Sequence, residues 1–124
     1  MIGFLVSLFM AILFIGLGLP LVHRKIRRNH FYGVRVSKYA MKYDDIWYEV
    51  NEVGGKHFVI MGLSMLLISV FSMIYHDNDN LEGYFMLISI LIAIVGSIFS
   101  IIVTHKLANN LAKEKGLKKT DSTG

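Results

Sequence analysis

Three uninterrupted apolar runs, Ile2 to Val22, His57 to Tyr75 and Tyr84 to Thr104, set the terms for this chain, and none contains an Asp, Glu, Lys or Arg. A hydrocarbon layer of about 30 Å takes roughly 20 helical residues at about 1.5 Å each, so every run is long enough to cross one. Backbone polar groups in lipid must be paired within their own segment, which makes each run a helix. The hydrophobic share, 54% of 124 residues, also exceeds what a soluble core of that size would hold. The expectation is an all-α membrane protein with three transmembrane helices, one membrane domain over residues 1–124.

Charge partition predicts the topology. Lys and Arg in short connections near span ends stay preferentially on the cytoplasmic side. The first connection, residues 23–56, carries Arg24, Lys25, Arg27, Arg28, Arg35, Lys38, Lys42 and Lys56, and the tail, residues 105–124, carries Lys106, Lys113, Lys115, Lys118 and Lys119. These are all 13 basic residues. The connection at 76–83 has Asp77, Asp79 and Glu82 as its charged groups. The chain therefore reads as a multi-pass protein of a cell membrane, with its N-terminus outside and its C-terminus cytoplasmic. Nothing basic precedes Ile2 and a basic cluster follows Val22, the reverse of a secretory signal and the pattern of an uncleaved anchor.

Composition removes several function classes. The net charge of +4 is accounted for by residues flanking spans, where topology and anionic headgroups call for them, so no direct nucleic-acid partner is expected. The cysteine count is zero, which excludes disulfides and thiolate chemistry. His23, His30, His57, His76 and His105 show neither an i, i+4 pair on one helix nor an accompanying glutamate motif, so no metal centre is expected. His76 with Asp77 and Asp79 can at most hold a cation weakly. Asp44 and Asp45 are adjacent and point apart on a helix, and no span serine has a base in reach by sequence. No catalytic residue, cofactor or enzyme class is indicated. The spans carry no buried acid or base that would mark an ion pathway.

Small residues recur at helical spacing within the spans: Gly3, Ser7 and Ala11 in the first, and Ser89, Ala93 and Ser97 with Gly96 and Ser100 in the third. Such stripes let helices approach closely in lipid, where packing drives association. Packing within one bundle and homo-oligomerisation both fit them.

The first connection holds the remaining information. After Pro20 the first helix is expected to continue to about Arg27, with the basic stems snorkelling to headgroups. Asn29 to Ser37 is the expected turn, with Gly33 free to take positive φ. Asp44 or Asp45 then caps a helix whose apolar positions Ile46, Trp47, Val50 and Val53 recur at three- and four-residue spacing, with Asp45, Glu49 and Glu52 opposite. It reads as a cytoplasmic interfacial amphipathic helix before the second span, with Trp47 anchored at the headgroups. Gly54 and Gly55 fit either a joint or a close packing contact. The tail from Leu107 reads as a short, frayed, lysine-rich segment broken at Gly116.

The order Pro20, Lys25, Asn29, Tyr32-Gly33-Val34-Arg35, Trp47, Asn51 and Gly54 resembles the signature of the SdpI family, small SdpI/YfhL-like membrane proteins of bacteria. The resemblance runs from Pro20 to the end of the third span. Val36 stands where the family commonly has Thr, and Tyr43 where it has Ser or Asn opening the Trp helix, which weakens a capping hydrogen bond at that helix start. The resemblance implies immunity: the namesake protects a producer cell from a secreted, membrane-active peptide toxin and signals by holding a transcriptional repressor at the membrane. The implied partners are thus a peptide toxin, membrane lipids and a cytoplasmic repressor.

Carried over position by position, the implied binding residues are Asn29, Tyr32, Gly33, Arg35, Trp47, Asn51 and Gly54. Each also has a structural role open to it. Arg35 can clamp an anionic group or pair with Glu49 or Glu52. Asn29 and Asn51 can bind a ligand or scaffold the loop. An alternative function is that of a membrane protein or enzyme recognising a lipid headgroup phosphate at the inner interface through Asn29, Arg35 and Asn51.

Overall fold

The computed structural model describes residues 2–29, 33 and 37–116. Regular structure among these is helical: α1 is Ile2–Val22, α2 is Lys38–Lys42, α3 is Asp44–Ile74 and α4 is Asp79–Glu114. Helices α1, α3 and α4 are each long and apolar enough to cross a membrane. They run up, down and up. Gly3 of α1 lies beside Ser72 of α3 and Glu82 of α4, while Gly18 lies beside Gly55. Exposed apolar stripes such as Ile60, Leu63, Leu67 and Val70 on α3 and Leu87, Leu91, Ile94 and Ile98 on α4 face outward, as lipid solvent allows.

The tightest seam joins α1 to α3 through glycines. A methyl group at Gly55 would fall 2.7 Å from the Gly18 carbonyl oxygen, and one at Gly62 would fall 2.9 Å from that of Ala11. Below this seam Ala11, Met61 and Met65 are buried against Met10, Phe14, Phe58, Ile92 and Ala93. Helix α4 is held differently, by side chains. Ser7 and Ser89 share a hydrogen bond of 2.8 Å, and His57 Nδ1 lies 2.8 Å from the Ser100 hydroxyl. The Gly3, Ser7 and Ala11 stripe is buried, as are Ser89 and Ser100, so these small residues pack inside one bundle.

Several expectations need correction. Helix α1 stops at Val22, not near Arg27: Arg24 takes a positive φ of 56°, and its N–H bonds back to the Leu21 carbonyl. The amphipathic stretch is no separate helix before the second span, because Asp44–Ile74 is one continuous helix and Gly55 serves close packing rather than a joint. Asp44 and Asp45 lie in its first turn, where they suit the positive end of the macrodipole. The N-cap is Tyr43, with no side-chain capping bond, as the departure from the family pattern at this position implies. Instead, Ser37 caps α2 by accepting from the Tyr39 N–H.

The tail also departs from expectation. Helix α4 continues ten residues past Thr104, because Ala108 and Ala112 extend the four-residue spacing of Ser100 and Thr104 on its buried face. They close a small core with Tyr39, Ala40, Ile46 and Val50. The helix ends before Gly116, whose φ is 75°.

Candidate functional site

The end of the bundle where α1 finishes and α3 begins, labelled the inner end after the expected topology, carries most of the polar residues, and they converge on the first turns of α3. The chain leaving α1 turns at Arg24, whose guanidinium donates to Glu52 Oε2 at 2.6 and 3.2 Å and to Glu49 Oε1 at 3.3 Å. The hydrogen bond to Glu52 holds the guanidinium proton more firmly than in an isolated arginine. Left-handed backbone at a non-glycine residue is unfavourable, and this two-carboxylate grip offsets it. The carboxylates proposed for Arg35 thus hold Arg24.

Past this corner the chain crosses α3. The Trp47 indole N–H donates to the Ile26 carbonyl at 2.9 Å, and the ring is completely buried. The headgroup anchor expected at Trp47 is therefore a buried residue, with the Ile26 carbonyl on its indole N–H and Gly33 against its ring. Gly33 has a φ of 117°, and a methyl group there would fall 2.9 Å from the Trp47 ring and 2.7 Å from Asn51 Oδ1. Both the backbone angle and the space require glycine.

Asn51 is 2% exposed and donates to the Trp47 carbonyl one turn earlier, at 2.9 Å. Asn29 Nδ2 donates to the Arg27 carbonyl at 2.7 Å, folding the loop on itself. Gly54 is buried one turn beyond Asn51. Trp47, Asn51 and Gly54 therefore share one buried strip of α3, and Gly33 sits on it. Asn29 belongs to the covering loop. Tyr32 and Arg35 lie outside the described residues.

Two ion pairs tie the rim: Arg28 to Asp44 at 3.5 Å, and Lys115 to Asp45. The second joins α4 to α3 across the small core. Chemically, the cap is a folded lid. Its indole N–H and both asparagine amides are engaged inside the protein, and its carboxylates face cations. Among the described residues the serine–histidine contact, Ser100 with His57, lies in the bundle with Ser100 3% exposed, where it serves packing.

The model of the SdpI/YfhL protein family matches residues 25–104. The chain belongs to the SdpI/YfhL family. No curated protein and no solved structure matches the chain. The SdpI match begins immediately after Arg24 and covers the lid, Trp47, Asn51 and both later spans. It stops at Thr104, so Arg24, Ala108 and Ala112 build the SdpI cap from outside the matched stretch.

Four contributors, Arg24, Ile26, Ala108 and Ala112, do not stand out from the sequence. Arg24 was assigned to topology with its neighbours, and nothing in the pattern separates it from Lys25 or Arg27. The Ile26 carbonyl leaves no signal in the sequence. Ala108 and Ala112 do leave one: they continue the small-residue spacing of α4 into a lysine-rich segment.

Proposed function

We propose that this protein confers immunity to a secreted, membrane-active peptide by binding it at the cell membrane, with its N-terminus outside and its lid and C-terminus on the cytoplasmic side. The observation that carries the reading is the SdpI/YfhL match over residues 25–104, which takes in the lid and the two spans that follow it. The bundle is the binding partner, and the lid fixes how α3 and α4 stand relative to one another. Gly33, Trp47, Asn51 and Gly54 then act by shaping the bundle, while Asn29, Tyr32 and Arg35 belong to the cytoplasmic loop, the surface suited to recruiting a regulator.

The bonding of the described groups supports this division. Groups already bonded inside a lid have few donors left for a ligand, whereas the outward faces of the spans are available to an apolar peptide in lipid. The same point disfavours a headgroup-phosphate pocket at Asn29 and Asn51. The first turns of α3, with the lid over Trp47, stand at the inner interface in this reading.

The test is survival of a sensitive cell expressing the protein against a panel of peptide toxins. Protection against one peptide and not against unrelated membrane agents is expected. Gly33→Val is expected to abolish it, with membrane abundance measured alongside. Equal survival with and without the protein against every peptide would overturn the reading.

A further inference from the structure

Four of the five described acidic residues of the inner end have ion-pair partners, Glu114 being the fifth, and the basic residues there outnumber the acids. Asp44 pairs with Arg28, Asp45 with Lys115, and Glu49 and Glu52 with Arg24. Three cations thus answer four carboxylates. Lys25, Arg27, Lys56, Lys106 and Lys113 make no ion pair among the described residues, and all five are exposed.

Their placement on the helices gives this excess a direction. On α4 the exposed residues Val95, Phe99 and Ile102 continue at three- and four-residue spacing into Lys106, Asn110 and Lys113. One stripe therefore passes from lipid-facing to cationic without leaving its face. On α3 the exposed stripe of Ile60, Leu63 and Leu67 begins one turn from Lys56.

The contacts between helices place these lysines along the bundle axis. Gly18 is level with Gly55, and His57 is level with Ser100. Lys56 lies at that level and Lys106 about 9 Å further in by helical rise, while Lys25 follows the end of α1, where its N–H bonds back to the Pro20 carbonyl. A band about 10 Å deep is within the reach of lysine stems that snorkel toward headgroups. Lys113, about 10 Å beyond Lys106, is still within about one Debye length of a charged surface.

We propose that Lys25, Arg27, Lys56, Lys106 and Lys113 form a girdle around the inner end that binds anionic phospholipid headgroups and seats the lid on the membrane. The partner is a lipid surface because the cations lie in line with the lipid-facing stripes and not on the buried face that carries Ala108 and Ala112. The girdle is separate from peptide binding and does not depend on it.

The test uses the full chain in nanodiscs of phosphatidylcholine alone and of phosphatidylcholine with phosphatidylglycerol, with the lipids retained on the protein counted by native mass spectrometry. Phosphatidylglycerol is expected to be enriched several-fold over its bulk share, with the enrichment falling as salt rises. The triple variant Lys56→Gln, Lys106→Gln, Lys113→Gln is expected to bring retention close to the bulk ratio, while its melting temperature in pure phosphatidylcholine matches that of the parent. Equal retention of both lipids by the parent would overturn the proposal, as would undiminished enrichment in a folded triple variant. An acidic soluble protein as the true partner would give the first of these results.

Discussion

The two ends of this bundle solve the same problem in opposite ways. At the outer end the chain turns between α3 and α4 over a few residues, and the helices are finished by single side chains. Asn78 caps α4 by accepting from the Leu81 N–H at 3.2 Å, and Glu82 packs beside Gly3 at the start of α1. Tyr75 and Tyr84 stay exposed. At the inner end α3 and α4 run on past their apolar stretches, a second small core forms, and a loop is laid over a tryptophan. A short turn needs caps, whereas a long polar connection needs something to fold onto. Trp47 supplies it, and the polar residues around it are engaged in holding the loop down.

The largest effect should come from removing that centre. Trp47→Ala deletes a fully buried ring and, by the cost of large-to-small core changes, should lower stability by about 3–5 kcal/mol. Unfolding by denaturant in detergent micelles would measure it. Trp47→Phe keeps much of the ring and loses the hydrogen bond to Ile26, a loss of about 1 kcal/mol. If both variants proved equally mild, the inner end would be no more built than the outer one.

An intermediate effect is expected at Gly33, where any side chain meets both an unfavourable backbone angle and the Trp47 ring. Gly33→Ala should cost about 1–3 kcal/mol. Gly83, at the outer end, has open space where a side chain would go, so Gly83→Ala should be neutral or slightly stabilising. Comparing the two melting temperatures separates a glycine required by the fold from one that is not. A small loss is expected between the ends: Ser7→Ala removes a buried hydrogen bond to Ser89 and should cost about 1 kcal/mol, read from the same unfolding curves.

The membrane character and the three long helices were legible in the sequence, because long apolar runs without charge have no other stable arrangement in lipid. So was the positive φ of Gly33. The meeting of Gly33 with the Trp47–Asn51 face was legible in outline, while Tyr32 and Arg35 of the same expected contact lie outside the described residues. The role of Trp47 was not legible. Ile46, Trp47, Val50 and Val53 have the same spacing whether the face they form meets lipid or protein, and the contacts from Ile26 and Gly33 come from a distant, strongly basic stretch of chain. The end of α4 was hidden for a related reason. Its lysines are the residues a frayed tail would carry, and the buried alanines between them contribute little to hydropathy. Glycine contacts such as Gly18 with Gly55 depend on how two helices are aligned, which no single helix reveals.

Trp47 is the sole tryptophan, so its fluorescence reads the inner end directly. With the protein in bilayers containing lipids brominated at the top of the acyl chains, and with iodide in the aqueous phase, emission is predicted to be blue-shifted and only weakly quenched by either agent. The same measurement on Gly33→Val should show quenching restored as the lid lifts. Strong quenching of the parent protein by brominated lipid would place the indole in the membrane interface and contradict the lid.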